Sequence, residues 1–184
     1  MQSGFPNIRH MRVFVETART GSVSTAAELC HLSQPAASQA VAGLETYFGT
    51  PLFISNRQRS ALTTCGILVE CRTRAAMKHL RDGAKNALRE ASDKEAHRQT
   101  FELSVTASQL RNLIAIANAG SFTVAARTLG LSQPTIHRAA RNLEAIAGTP
   151  FFTARAAGVR LTAAADAFMR GAKLAQNEIR QAVE

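Results

Sequence analysis

A chain of 184 residues, 46% hydrophobic and 19% charged, has room for one ordinary domain or two small ones, and it holds no apolar run long enough for a membrane span. Its formal net charge of +9 favours an anionic partner such as nucleic acid. The excess is spread evenly, with eleven Lys and Arg against six Asp and Glu in residues 1–92 and eleven against seven in 93–184, so neither half is a disordered basic tail. The opening MQSGFPNIRHMRVF lacks the charged start, apolar core and small-residue cleavage site of a signal peptide, which predicts a cytoplasmic chain. Cys30, Cys65 and Cys71 contain no C-x-x-C pair and meet no His at zinc spacing. They are expected to be small core residues in a reducing compartment. Without a phosphate-binding Gly loop, a metal-ligand spacing or a nucleophile with a recognisable base, the chain is expected to be no enzyme and to carry no cofactor or metal.

In chain order, IRHMRVFVETAR predicts a helix with Asn7 as its cap, Ile8, Met11, Val15 and Ala18 on its apolar stripe, and Gly21 as its stop. A short second helix, roughly Ser24 to Cys30, carries Ala26 and Ala27. Ser33 then caps a third helix whose Pro35 falls in the first turn, where a missing N–H costs nothing. The segment TPLFISNRQRSALT predicts two short strands around a basic loop. From about Cys65 to Ser92 a long helix follows, roughly 40 Å at 1.5 Å per residue. Its Met77, Leu80, Ala84, Ala87 and Ala91 recur at alternating steps of three and four, which reads as a helix-pairing seam or as packing on the helix's own module.

The same elements then return. A gapless shift of 99 positions superimposes Gly21-Ser22 on Gly120-Ser121, Ala26-Ala27 on Ala125-Ala126, and Leu32-Ser33-Gln34-Pro35 on Leu131-Ser132-Gln133-Pro134. It continues through Leu44-Glu45 on Leu143-Glu144, Gly49-Thr50-Pro51 on Gly148-Thr149-Pro150, and Leu62-Thr63 on Leu161-Thr162. The chain is a tandem duplication. The expected organisation is a winged helix-turn-helix over 1–64, a linker helix over 65–92, a connector over 93–106, a second winged helix-turn-helix over 107–163 and a second linker helix over 164–184.

The helix-turn-helix reading rests on spacing. Two crossing helices need a small residue on the first, a tight turn four residues later that prefers Gly, and an apolar residue six further on. Ala126, Gly130 and Ile136 fill these positions in the second copy; Ala27, His31 and Ala37 fill them less well in the first. On the third helix, Ala37, Val41 and Leu44, or Ile136, Ala140 and Leu143, face the core. The opposite face then presents Gln34, Ala36, Ser38, Gln39 and Ala42 in the first copy and Gln133, Thr135, His137, Arg138 and Arg141 in the second. Gln pairs bidentately with adenine and Arg with guanine, and Thr or Ala methyls meet a thymine methyl. Ser33 and Ser132 either donate to a phosphate or only cap the helix, and His137 either reads a base or is solvated.

Together, GSVSTAA and GSFTVAA, the repeated L-S-Q-P, the L-E late in the third helix, the G-T-P segments and the L-T opening the long helix resemble the DNA-binding domain of the LysR-type transcriptional regulators. The resemblance implies a mainly α fold of tandem winged helix-turn-helix domains, each followed by a long dimerisation helix. It also implies a third helix in the major groove and a wing on the minor groove or backbone. Family members usually carry one such domain and a larger effector-binding domain, whereas this sequence has two DNA-binding units and breaks off within a helical pattern, as the N-terminal part of a longer regulator would. Where the family has a wing Arg two residues after the Phe, Ser55 and Ala154 stand here, which leaves Arg57, Arg59, Arg155 and Arg160 as substitutes. The second unit is expected to be the stronger reader. The units are expected to pair through their long helices, either within one chain or between two copies. The rival reading is a duplicated protein-interaction module that binds DNA weakly or not at all.

Overall fold

The computed structural model describes residues 5–54, 60–89, 101, 103–155 and 158–183. The first repeat consists of α1 (Ile8–Thr20), α2 (Val23–Leu29), α3 (Gln34–Phe48), the strands β1 (Phe53–Ile54) and β2 (Ala61–Leu62), and α4 (Thr64–Ala87). The second consists of α5 (Ala107–Ala119), α6 (Phe122–Leu129), α7 (Gln133–Ala147), β3 (Phe152–Arg155), β4 (Gly158–Leu161) and α8 (Ala163–Gln181). The fold is mainly α, with a tandem winged helix-turn-helix. No described helix is long and apolar enough to cross a membrane, and no group of His, Cys, Asp or Glu among the described residues is arranged to hold a metal ion. Residues 90–92 of the expected linker helix, with Ala91 of its seam, lie outside the described residues.

The helix ends follow from the sequence signals. The Asn7 side chain accepts from the Arg9 N–H, the side chains of Ser33 and Ser132 accept from the N–H groups of Ala36 and Thr135, and Gly21 and Gly120 stop α1 and α5 in the left-handed conformation. The first helix of the first repeat buries a different stripe from the expected one: Met11, Val13, Phe14 and Thr17 in α1, with Ile8, Val15 and Ala18 only half-buried. In α5 the buried set is Leu110, Asn112, Leu113 and Ile116. Each of these helices packs against both of the next two, so the buried arc is wider and rotated from the single stripe that periodicity suggests.

The core of the first repeat gathers Val13, Ala27, Ala37, Ala40 and Val41; that of the second gathers Ile116, Ala125, Ala126, Ile136 and Ala140. Ile136 in place of Ala37 gives the second crossing more apolar volume. The cysteines depart from expectation: Cys30 is half-buried, and Cys65 and Cys71 on α4 are exposed. They fall on the outer side of a helix whose inner side is filled by Val69, Thr73 and Ala76.

The turn between the two crossing helices adopts positive φ in both repeats, 65° at Gly130 and 54° at His31, and His31 is the single non-Gly residue of positive φ among those described. A side chain there costs about 1–2 kcal/mol that Gly avoids. Replacing His31 by Gly is therefore expected to stabilise the chain by about 0.5–1 kcal/mol, and Gly130→Ala to destabilise it by about 1 kcal/mol, measured by urea denaturation. Equal small effects of both changes would show that the turn carries no strain.

Each wing is a two-stranded antiparallel hairpin, with Phe53 opposite Leu62 in the first and Phe152 to Arg155 opposite Leu161 to Gly158 in the second. The wings attach to the turn after the first helix through Ser60 N–H to Gly21 C=O and Val159 N–H to Gly120 C=O, at 3.0 and 2.9 Å.

Candidate nucleic-acid interface

The third helix of each repeat buries one face and leaves the other in solvent. In α3, Ala37, Ala40, Val41 and Leu44 are buried, while Gln34, Ser38, Gln39 and Ala42 are exposed and Ala36 is half-buried. In α7, Ile136, Ala140, Leu143 and Ala147 are buried, while Gln133, His137, Arg138 and Arg141 are exposed and Thr135 is half-buried. The exposed faces are unlike in charge: α3 offers amides, a hydroxyl and methyls, and α7 adds two guanidinium groups and an imidazole.

Three of the α7 side chains have defined local partners. The Arg141 guanidinium donates to Glu144 Oε2 at 3.1 Å. The His137 ring stacks on Phe122 with centroids 4.2 Å apart and planes at 33°, so it rests on an aromatic surface while its edge stays exposed. The Thr135 hydroxyl lies 2.8 Å from that of Ser132. An N-cap Ser accepts through a lone pair, so its proton can still be donated outward.

A glutamate at the end of each third helix braces its wing. Glu45 Oε1 accepts from the N–H groups of Leu52 and Phe53 at 2.8 and 3.3 Å, and Glu144 Oε1 accepts from those of Phe151 and Phe152 at 2.9 and 3.0 Å. Thr63 and Thr162 do the same at the other end of the wing: each hydroxyl donates to the carbonyl of Pro51 or Pro150 and accepts from the first turn of the long helix. These roles were missed in the residue-by-residue reading. Their signal was nonetheless present, because both pairs belong to the dipeptides that coincide in the two copies.

The wing arginines do not join the face of α7. In the β3–β4 register Thr153 lies opposite Arg160, so Thr153, Arg155 and Arg160 share one side of the hairpin. All three line a groove of about 690 Å³ with Ile116 and Ala117 of α5 and Lys173 of α8. The opposite side of the wing, through Phe152 and Ala154, lines a smaller cavity of about 260 Å³ with His137 and Arg141 of α7. Three cations thus line the larger groove against one acid, Asp166, which is ion-paired with Arg170. Lys173, which donates to Asn118 at 2.9 Å, was not foreseen, since nothing in its local sequence links it to the wing. Arg57 and Arg59 lie outside the described residues.

A histidine of α1 packs against α3 at Gly43. Burial first, and then the charge of Arg9, lower the pKa of His10, whose ring packs so close to Gly43 that a methyl group there would lie 2.8 Å from Nδ1.

A braced wing, a capped helix with one polar face, and the turn between crossing helices define a winged helix-turn-helix domain, present here in two copies. The sequence model of the bacterial regulatory helix-turn-helix proteins of the lysR family matches residues 8–67 and again 107–166, and the chain belongs to that family.

Among individual relatives, the chain is 30% identical over 175 residues to the HTH-type transcriptional regulator GalR of Pseudomonas putida, a match covering 95% of this chain and 42% of that protein. It is 38% identical over 80 residues to the Hca operon transcriptional activator HcaR of Escherichia coli, covering 44% of this chain and 26% of the relative. A crystal structure of the CbnR DNA-binding domain in complex with DNA is 41% identical, covers 36% of this chain and 76% of that one, and gives a TM-score of 0.35. The chain therefore spans less than half the length of the curated relatives named above.

Proposed function

We propose that this chain is the DNA-binding part of a cytoplasmic LysR-type transcription regulator that reads the major groove of double-stranded DNA with α3 and α7. The observation that carries this reading is the exposed face of α7, where Gln133, His137, Arg138 and Arg141 stand opposite a fully apolar buried face. Such a face fits the groove edge-on, with Arg suited to guanine and Gln to adenine. Ser33, Ser132, the wing cations Arg155 and Arg160, and Arg57 and Arg59 serve the phosphates; Thr135, Ala36, Ser38 and Gln39 complete the two reading faces. Two domains paired through the long helices, within one chain or between two copies, bring two half-sites under one protein.

Selection from a random duplex pool, sequenced at two salt concentrations, tests the reading. A two-part motif and steep weakening with salt are expected, and Arg155→Ala and Arg160→Ala are each expected to weaken all sequences alike and reduce the salt slope by about 1. Uniformly weak binding with no motif would instead favour the interaction module.

A further inference from the structure

The pairing of the long helices contains a selectivity that neither helix has by itself. Within the compact unit of residues 79–175, the C-terminal part of α4 lies antiparallel against α8 at a crossing of two glycines. A methyl group on Gly171 would stand 2.5 Å from the His79 carbonyl oxygen and 2.9 Å from Gly83 Cα, both backbone atoms. A methyl group on Gly83 would stand 3.2 Å from Gly171 Cα. Within the other compact unit, residues 1–78 with 176–184, Arg72 of α4 donates to Glu178 of α8 at 3.0 Å.

These two contacts are related by the duplication. Under the shift of 99 positions His79 corresponds to Glu178 and Gly171 to Arg72, so the position pair that meets as His79 and Gly171 in one unit meets, exchanged, as Glu178 and Arg72 in the other. An isologous interface between two copies of one surface has this reciprocal property. The side chains, however, have diverged. Gly83 and Gly171 correspond to Ala182 and Arg72, so each helix keeps a glycine where the other has a side chain.

We infer that α4 and α8 are a mutually selective pair and that one chain therefore assembles internally the paired helices, with no second copy joining through α4. If α4 paired with another α4 in the same geometry, Arg72 would take the place of Gly171 at the close crossing, with its Cβ driven against the His79 backbone. Each Arg72 would also face His79 in place of the carboxylate of Glu178. If α8 paired with α8, both glutamates would lose their arginine. Only the mixed pair has the close crossing on one side and the ion pair on the other. Because the two helices belong to one chain, their association is intramolecular, and it outcompetes a second copy at micromolar concentrations. This deepens the DNA-binding reading by naming the partner of the linker helix, but it rests on the seam and is measured without DNA.

The test is the mass of the whole chain by sedimentation equilibrium, combined with thermal melting of four variants. A monomer is expected from about 1 to 50 μM, well below the millimolar effective concentration of a tethered pair. Gly171→Ala is expected to lower the melting temperature by several degrees and Gly83→Ala by much less, although alanine raises helix propensity at both positions. Glu178→Arg is expected to lower the melting temperature, and adding Arg72→Glu to restore it. A dimeric mass in this range would overturn the inference. So would equal melting temperatures for Gly171→Ala and the parent, or a charge-reversed double variant no more stable than Glu178→Arg alone.

Discussion

Replacing Arg138 by alanine is expected to weaken binding to the half-site under α7 by about 5- to 150-fold, the range of ~1–3 kcal/mol for one bidentate Arg–guanine contact. The side chain is exposed on a helix whose core face runs through Ile136, Ala140 and Leu143, so its loss removes no buried contact and stability should stay within about 0.5 kcal/mol. Arg138→Lys keeps the charge and loses the planar fork. If Arg138 reads a base, Lys at this position should bind nearly as weakly as Ala and the selected motif should relax at one position. If it only neutralises a phosphate, Lys should restore affinity. Arg141→Ala should cost less, because that guanidinium must first leave Glu144, and Gln34→Ala should alter the other half of the motif alone. An unchanged motif and affinity in Arg138→Ala would remove α7 from the role of reader.

The second large effect belongs to the glutamates that brace the wings. Glu144→Ala is expected to destabilise the chain by about 2–4 kcal/mol in urea denaturation, since two backbone N–H groups lose a charged acceptor and little water can replace it. The side chain is only 12% exposed, so solvent screening is modest. Glu45→Ala should fall in the same range, because its oxygen holds Leu52 and Phe53 in the same way. Glu144→Gln retains a carbonyl acceptor and should cost about 1 kcal/mol. The two alanine variants should differ in DNA binding. Glu144→Ala also releases Arg141, whereas the position matching Arg141 in the first repeat is Ala42 and has nothing to release. Losses below about 0.5 kcal/mol in both alanine variants would show that the wings hold their place without this brace.

Much of the fold was legible because its signals are local. Asn7, Ser33 and Ser132 cap where an exposed hydroxyl or amide before an apolar run should cap, Gly21 and Gly120 end helices in the left-handed conformation, and the alanines at 26, 27, 125 and 126 sit at the crossings. The duplication added what a single copy could not, since coincidence of Leu-Glu and Leu-Thr marked residues whose bonds span the wing. The exposed polar face of α7 was legible for the same reason: a helix with one apolar stripe must show its other residues to solvent.

What the tertiary structure alone decided concerns contacts between elements. The stripe of α1 moved to Val13, Phe14 and Thr17 because the helix is covered by two neighbours, and periodicity records only that some face is buried. Arg155 and Arg160 were assigned to the wing from sequence, but the hairpin register sends them to the side lined by Lys173 and away from α7. His137 gained an aromatic seat on Phe122, fifteen positions away, and Gly83 and Gly171 were unremarkable until two helices crossed at them. Caps, turns and amphipathic faces depend on interactions within a few residues and are written along the chain. Register, helix rotation and close crossings depend on which surfaces exclude each other's atoms, and that is settled only when the surfaces meet.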